Sequence, residues 1–89
     1  MKDLQTRLAV TLKVVRVAGG KSQEEVASAL FRDQAFASRV EGNKTIITPD
    51  IVAEWVGICG GRRLIDTVIR QLQAIRNLLD YWGADLLQA

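Results

Sequence analysis

RVAGGKSQEEVASALFRDQAFASRVE, Arg16 to Glu41, is the stretch on which the fold turns. Within it Ser22 is followed three residues later by Glu25, a capping box in which hydroxyl and carboxylate each satisfy a backbone N–H that a first helical turn leaves unpaired. The helix so started should run from about Gln23 to Leu30, with Val26, Ala27 and Leu30 on one face and Gln23 and Glu24 turned outward. Asp33 can cap a following helix whose inner face is Ala37 and Val40, with Phe36 available to widen it. Gln34, Ala35, Ser38 and Arg39 then lie outside. A helix so short, with so little apolar surface, does not persist alone in water, so its neighbours must hold it. Ala27 is small enough to let the two helices cross closely, though alanine also serves plain helix propensity.

Upstream, Leu4, Leu8, Leu12 and Val15 recur at the spacing of one helical face, and Gly19-Gly20 supplies the left-handed residue that ends a helix. This spacing predicts a first helix from about Asp3 to Ala18. Val10, Val14 and Val17 form a second stripe beside the first, more apolar surface than one core requires, so something else should cover it. Downstream, Gly42-Asn43-Lys44-Thr45 reads as a loop, and the β-branched run Thr45-Ile46-Ile47-Thr48 continues it because no partner strand is visible. Thr48 and Pro49 start a fourth helix, as cap and first helical residue, which should carry Ile51, Val52, Trp55, Val56 and Cys59 inward.

After Gly60-Gly61, the residues Ile65, Val68, Leu72, Ile75, Leu79, Trp82 and Leu86 alternate steps of three and four, a heptad seam that Leu64, Ile69 and Leu78 widen. Asp66 and Arg70 offer an outer pair one turn apart, and Gly83 should fray or bend the helix near its end. The expected fold is all-α: a five-helix domain with a helix-turn-helix in helices two and three and a long C-terminal helix. Residues 1–61 would form the helix-turn-helix part and 62–89 the C-terminal helix of the same compact domain.

Composition narrows the chemistry. The 89 residues suit one small domain, and 48% apolar with 25% charged residues is the balance of an ordinary globular protein. Twelve Lys and Arg against ten Asp and Glu give a net charge of +2, which permits a polyanionic partner without demanding one. Residues 1–60 carry eight basic and seven acidic groups, so any attraction for phosphate must come from their arrangement. With no His and a single cysteine, Cys59, most zinc sites, every Cys/His dyad and the Ser-His-Asp triad are excluded. No enzyme activity, cofactor, metal or small-molecule ligand is expected, and without a signal pattern or a long apolar run the expected place is the cytoplasm.

Arg16, Gly20, Ser22, Gln23, Glu24, Glu25, Val26 and Ala27, followed without gap by Ser38-Arg39-Val40-Glu41, form a frame that resembles the helix-turn-helix of the phage Cro and repressor family, the xenobiotic-response-element type. The resemblance covers residues 12 to 59. It implies a partly buried ion pair between Arg16 and Glu41, structural in role. It also implies that Gln23 meets a phosphate at a helix amino terminus, that Asn43, Lys44 and Thr45 touch the backbone again, and that Lys21 and Arg32 add charge. Base reading would fall to the third helix. There Gln34 can pair with N6 and N7 of adenine, Ala35 offers a methyl to thymine, Ser38 takes a base or a phosphate, and Arg39 forks onto guanine or binds a phosphate.

The chain departs from the family pattern in two places. Phe31-Arg32 stands where a glycine and an apolar residue are usual, so either Phe31 replaces the apolar plug or helix two runs longer and tilts helix three. The loop from Glu41 to Pro49 is about two residues longer than the common form and reads Gly42-Asn43 where Asn-Gly is more usual.

Proteins of this type commonly bind as pairs, two recognition helices meeting two half-sites one DNA turn apart. The last helix is the candidate interface, through Ile65, Val68, Leu72, Ile75, Leu79 and Trp82; alternatively its stripe packs on the valines of helix one within the same chain. The functional expectation is a sequence-specific double-stranded DNA-binding regulator, a repressor by default, acting as a homodimer on a palindromic operator. The other class is a protein-interaction module, such as an antitoxin or phage-encoded inhibitor, in which the frame is scaffold and the apolar helices bind a second protein.

Overall fold

The structure, a computed structural model, describes residues 2–82, with side chains from Leu4 to Tyr81. Five helices follow one another: α1 Lys2–Ala18, α2 Gln23–Ala29, α3 Gln34–Glu41, α4 Pro49–Cys59 and α5 Gly61–Trp82. No strand occurs among the described residues. The described residues are thus all-α, and α2, α3 and α4 start behind the caps Ser22, Asp33 and Thr48. The expectations for Gly83 and Leu86 and for the Trp82 side chain lie outside the described residues.

One core joins α1 through α4. Ala9, Leu12 and Val15 of α1 meet Val26 and Ala27 of α2, Phe36, Ala37 and Val40 of α3, and Trp55 and Cys59 of α4. Trp55 is the largest fully buried side chain, and its indole N–H donates to the Leu12 carbonyl at 3.0 Å, so its one polar atom is satisfied. Ile51, Val52, Val56, Ile58, Leu64 and Ile65 pack half-buried around this centre. Leu4 departs from the expected stripe: it is exposed, and the inner face of α1 begins at Leu8. Leu4 stands instead on the rim of an open groove that it lines with Leu8, Ile47, Pro49 and Val52.

α1, α2 and α3 all end in the same turn. After α1, Lys21 N–H donates to Arg16 O and Gly20 N–H to Val17 O; after α2, Arg32 to Ala27 and Phe31 to Ser28; after α3, Lys44 to Arg39 and Asn43 to Val40. Each is a Schellman motif, which needs one left-handed residue just past the helix. Gly20 takes it at φ 69°, Asn43 at 56° and Phe31 at 57°. Both expectations for Phe31 are therefore overturned. It is no core plug, being 96% exposed, and α2 does not lengthen but stops at Ala29 with Leu30 as its cap. Leu30, half-buried against the core, supplies the apolar contact instead. Gly19 matters for space rather than for its backbone angles. A Cβ there would overlap the Cys59 carbonyl, so the lack of a side chain lets the ends of α1 and α4 touch.

The run Thr45–Thr48 is loop, and its backbone is satisfied from a distance. Gln5 of α1 receives the Ile47 N–H on its oxygen at 2.8 Å and donates its amide to the Ile47 carbonyl at 3.0 Å, as a neighbouring strand would. Ile47 can then bury in the core. α5 begins on the body through Leu64 and Ile65, and from Ile69 to Tyr81 every residue is exposed. The expected Asp66–Arg70 pair is absent among the described residues; Arg70 reaches the Thr67 hydroxyl at 3.5 Å. No helix is long and apolar enough to cross a membrane among the described residues.

Candidate nucleic-acid interface

The site is built on the α2–α3 pair. Ser22 caps α2, its hydroxyl accepting from Glu25 N–H at 3.0 Å while the Glu25 carboxylate accepts from Ser22 N–H at 3.0 Å. The second bond favours the charged form and holds the Glu25 carboxyl below its ordinary pKa. A group with a depressed folded-state pKa contributes above its unfolded value, so this cap is complete at neutral pH and weakens only as pH falls through the depressed value. Asp33 caps α3 by accepting from Phe36 N–H at 3.0 Å. Arg32 then folds back over the Phe36 ring, its guanidinium 3.9 Å from the centroid. That position turns Arg32 toward α3 rather than into the loop.

Beneath the pair lies the ion pair. Arg16 Nε donates to Glu41 Oε2 at 2.6 Å and Nη2 to Oε1 at 3.1 Å, a two-pronged contact between side chains only 13% and 4% exposed. The Glu41 carboxylate raises the pKa of Arg16, chiefly through this hydrogen bond. Arg16 also donates from Nη1 to the Lys21 carbonyl at 2.9 Å, so one guanidinium ties the end of α1, the start of α2 and the end of α3. Cys59 is buried nearby, and desolvation pushes its thiol above the ordinary cysteine range.

The carboxylate carries a second chain of bonds outward. Gln23 donates its amide to Glu41 Oε1 at 3.0 Å, and Gln34 donates its own amide to the Gln23 oxygen at 2.7 Å. The direction follows from the acceptor: a carboxylate accepts only, so Gln23 must turn its NH2 inward and its oxygen outward, and Gln34 must meet that oxygen with NH2. Gln34 is left with one N–H and its carbonyl oxygen uncommitted at the amino end of α3. Gln23 is correspondingly less free than a phosphate ligand, with its oxygen occupied and one amide hydrogen and its backbone N–H remaining.

Ala35, Ser38 and Arg39 lie exposed on α3 with Gln34, while Phe36, Ala37 and Val40 are buried behind them. The Arg39 side chain makes no hydrogen bond or ion pair among the described residues. Lys44 follows α3 exposed and Thr45 half-buried; Lys21 is half-buried at the start of α2. Asn43 is drawn aside, its side-chain amide donating to the Thr6 hydroxyl of α1 at 3.0 Å, which pins the loop. Two parts of this arrangement were not foreseen from the residues: the Gln23–Gln34 link and the Gln5 clamp on Ile47. In both a glutamine side chain reaches a different element, for which spacing along one helix gives no signal.

Among the expected dimer residues, Ile65 and Val68 are half-buried against the body, and Leu72, Ile75 and Leu79 are exposed. The valine stripe of α1 does not absorb them, since Val10, Val14 and Val17 are exposed as well. Scans against family models and searches of curated proteins and solved structures return no match to this chain.

Proposed function

We propose that this protein is a sequence-specific double-stranded DNA-binding regulator, a repressor by default, that acts as a homodimer on a palindromic operator. The observation that carries the reading is the chain of bonds from Arg16 through Glu41 and Gln23 to Gln34. A surface glutamine normally rotates freely. Here its free donor and acceptor are pre-set at the amino end of an exposed helix, the pair that N7 and N6 of adenine require. Arg39 stands uncommitted on the same face for guanine or phosphate, and Ala35 and Ser38 complete it. Gln23 and Lys44 flank that face as phosphate contacts, with Asn43, Thr45, Lys21 and Arg32 contributing less because their side chains are turned elsewhere, half-buried or stacked.

In this reading α5 presents Leu72, Ile75 and Leu79 to a second copy. Regulation follows from concentration, because a half-occupied palindrome is held by one α3 alone. No cofactor is required.

Mobility-shift titrations test it. Binding to random duplex at low salt should weaken linearly on log–log axes as salt rises, because phosphate contacts release counterions. Gln34→Ala and Arg39→Ala should each lower affinity for the selected operator by roughly tenfold to a hundredfold and leave random-duplex binding nearly unchanged. Lys44→Ala should weaken both alike. No binding at low salt would remove this reading in favour of a protein-interaction module, which the bare apolar faces of α1 and α5 and the exposed Phe31 favour.

A further inference from the structure

Two apolar surfaces remain uncovered on the same side of the molecule. Val10, Val14 and Val17 stand out from α1. Ile69, Leu72, Ile75, Leu78 and Leu79 stand out from α5, and the exposure of all eight runs from 37% to 60%. They are continuous: Val10 and Val14 line one groove with Ile69 and Leu72, and Val14 and Val17 line its extension with Val68 and Gln71. The seam of α5 continues from the groove through Ile75 and Leu79, one and two turns beyond Leu72, and both are exposed among the described residues.

We propose that this groove between α1 and α5 is the seat for the outer half of α5 from a second copy, so that each copy's Leu72–Ile75–Leu79 face lies on the other's Val10–Val14–Val17 stripe. The inference rests on the homodimer in the function proposed above and assigns it a half that the α5 seam alone does not supply.

Four observations select a second copy as occupant. The exposed side chains leave on the order of 700 Å² of apolar surface per copy, close to the roughly 800 Å² that each partner buries in a standard stable interface. A two-fold interface requires the same patch to supply both filler and receptacle, and here groove and projecting seam belong to one chain. Charge gives no handle for a different partner: no acid and only Lys13 lines the groove. The projecting length matches as well, since Ile69 to Tyr81 makes about 20 Å of helix, more than the stripe it must cover.

The exchange is tested by Val14→Glu, an exposed position whose substitution leaves the core intact, beside Ile75→Glu on the projecting seam. Sedimentation velocity across a concentration series should give a dimer for the unmodified chain. Each variant should shift the dissociation midpoint by about tenfold or more, because each would bury a lone charge on an apolar surface, with helicity by circular dichroism unchanged. If Val14→Glu keeps the unmodified midpoint while Ile75→Glu dissociates, α5 pairs without α1 and the proposal is overturned. An unmodified chain that stays monomeric to about 1 mM, or that is captured on this face only by another protein, overturns it too. Random-duplex binding at low salt, measured in parallel, separates the two readings. Loss of the dimer with DNA binding kept in the monomeric variants supports both, whereas correct dissociation with no DNA binding in any form removes the regulator reading alone.

Discussion

α3 and the outer half of α5 are both helical and both rich in exposed side chains, yet they are held in opposite ways. α3 has eight residues and would not persist alone, but its cap is made, its inner side chains are buried, and its last acid is locked to α1. Everything that orders it lies within the same chain. From Ile69 to Tyr81 every residue of α5 is exposed and none joins the core, though its seam is the more apolar of the two surfaces. Polar exposure on a helix fixed from behind suits a polar ligand such as a base edge, whereas apolar exposure on a helix fixed by nothing calls for a protein surface.

Truncation separates the two regions most sharply. Trp55→Ala empties the centre of the body and removes the indole bond that the Leu12 carbonyl accepts beside its helical one, so it should cost about 3–5 kcal/mol in urea unfolding. Leu72→Ala, measured at a concentration where the chain is monomeric, should fall within about 0.5 kcal/mol of the parent. A loss of roughly 2 kcal/mol or more at Leu72, the size expected of a buried leucine, would mean that α5 packs on its own body, and the contrast between the regions would disappear.

Next in size is the ion pair. Glu41→Ala leaves the Arg16 guanidinium mostly buried without a counter-charge and releases Gln23, so it should cost about 3 kcal/mol of stability. It should also free Gln34 to rotate and reduce discrimination between operator and random DNA more than it reduces random binding, in titrations at a temperature where the variant is fully folded. Loss of stability with unchanged discrimination would place the pair in the scaffold alone.

The smallest effect has the opposite sign. Phe31 sits left-handed at a cost of about 1 kcal/mol and buries almost none of its ring. Phe31→Asn should therefore raise stability by up to about 1 kcal/mol, read as a higher melting temperature, with operator affinity unchanged. A drop in stability would show that the phenyl ring contributes to the turn after all.

What the sequence made legible was local. Ser22 with Glu25, Asp33, and Thr48 with Pro49 announce helix starts because a cap and the N–H groups it satisfies lie within one turn, and all three stand where the spacing put them. Gly20 announces a left-handed turn for the same reason. Phe31 did not, because its intrinsic preference points away from the conformation that the α2–α3 crossing imposes. The burial of Ile47 was equally hidden, since it depends on Gln5 reaching across from 42 positions away. The heptad spacing marks the seam of α5 as apolar, but whether a stripe meets its own chain or a second one is decided by how far the helix projects. Periodicity does not carry that length.

Selection of bound duplexes from a random pool tests at once whether α3 reads DNA and whether two copies do so together. The expected result is an inverted repeat with half-site centres about one helical turn apart, roughly 10–10.5 bp, and an adenine in each half-site whose preference is lost in Gln34→Ala. A pool that shows no enrichment over several rounds, or enrichment that Gln34→Ala leaves unchanged, would contradict it.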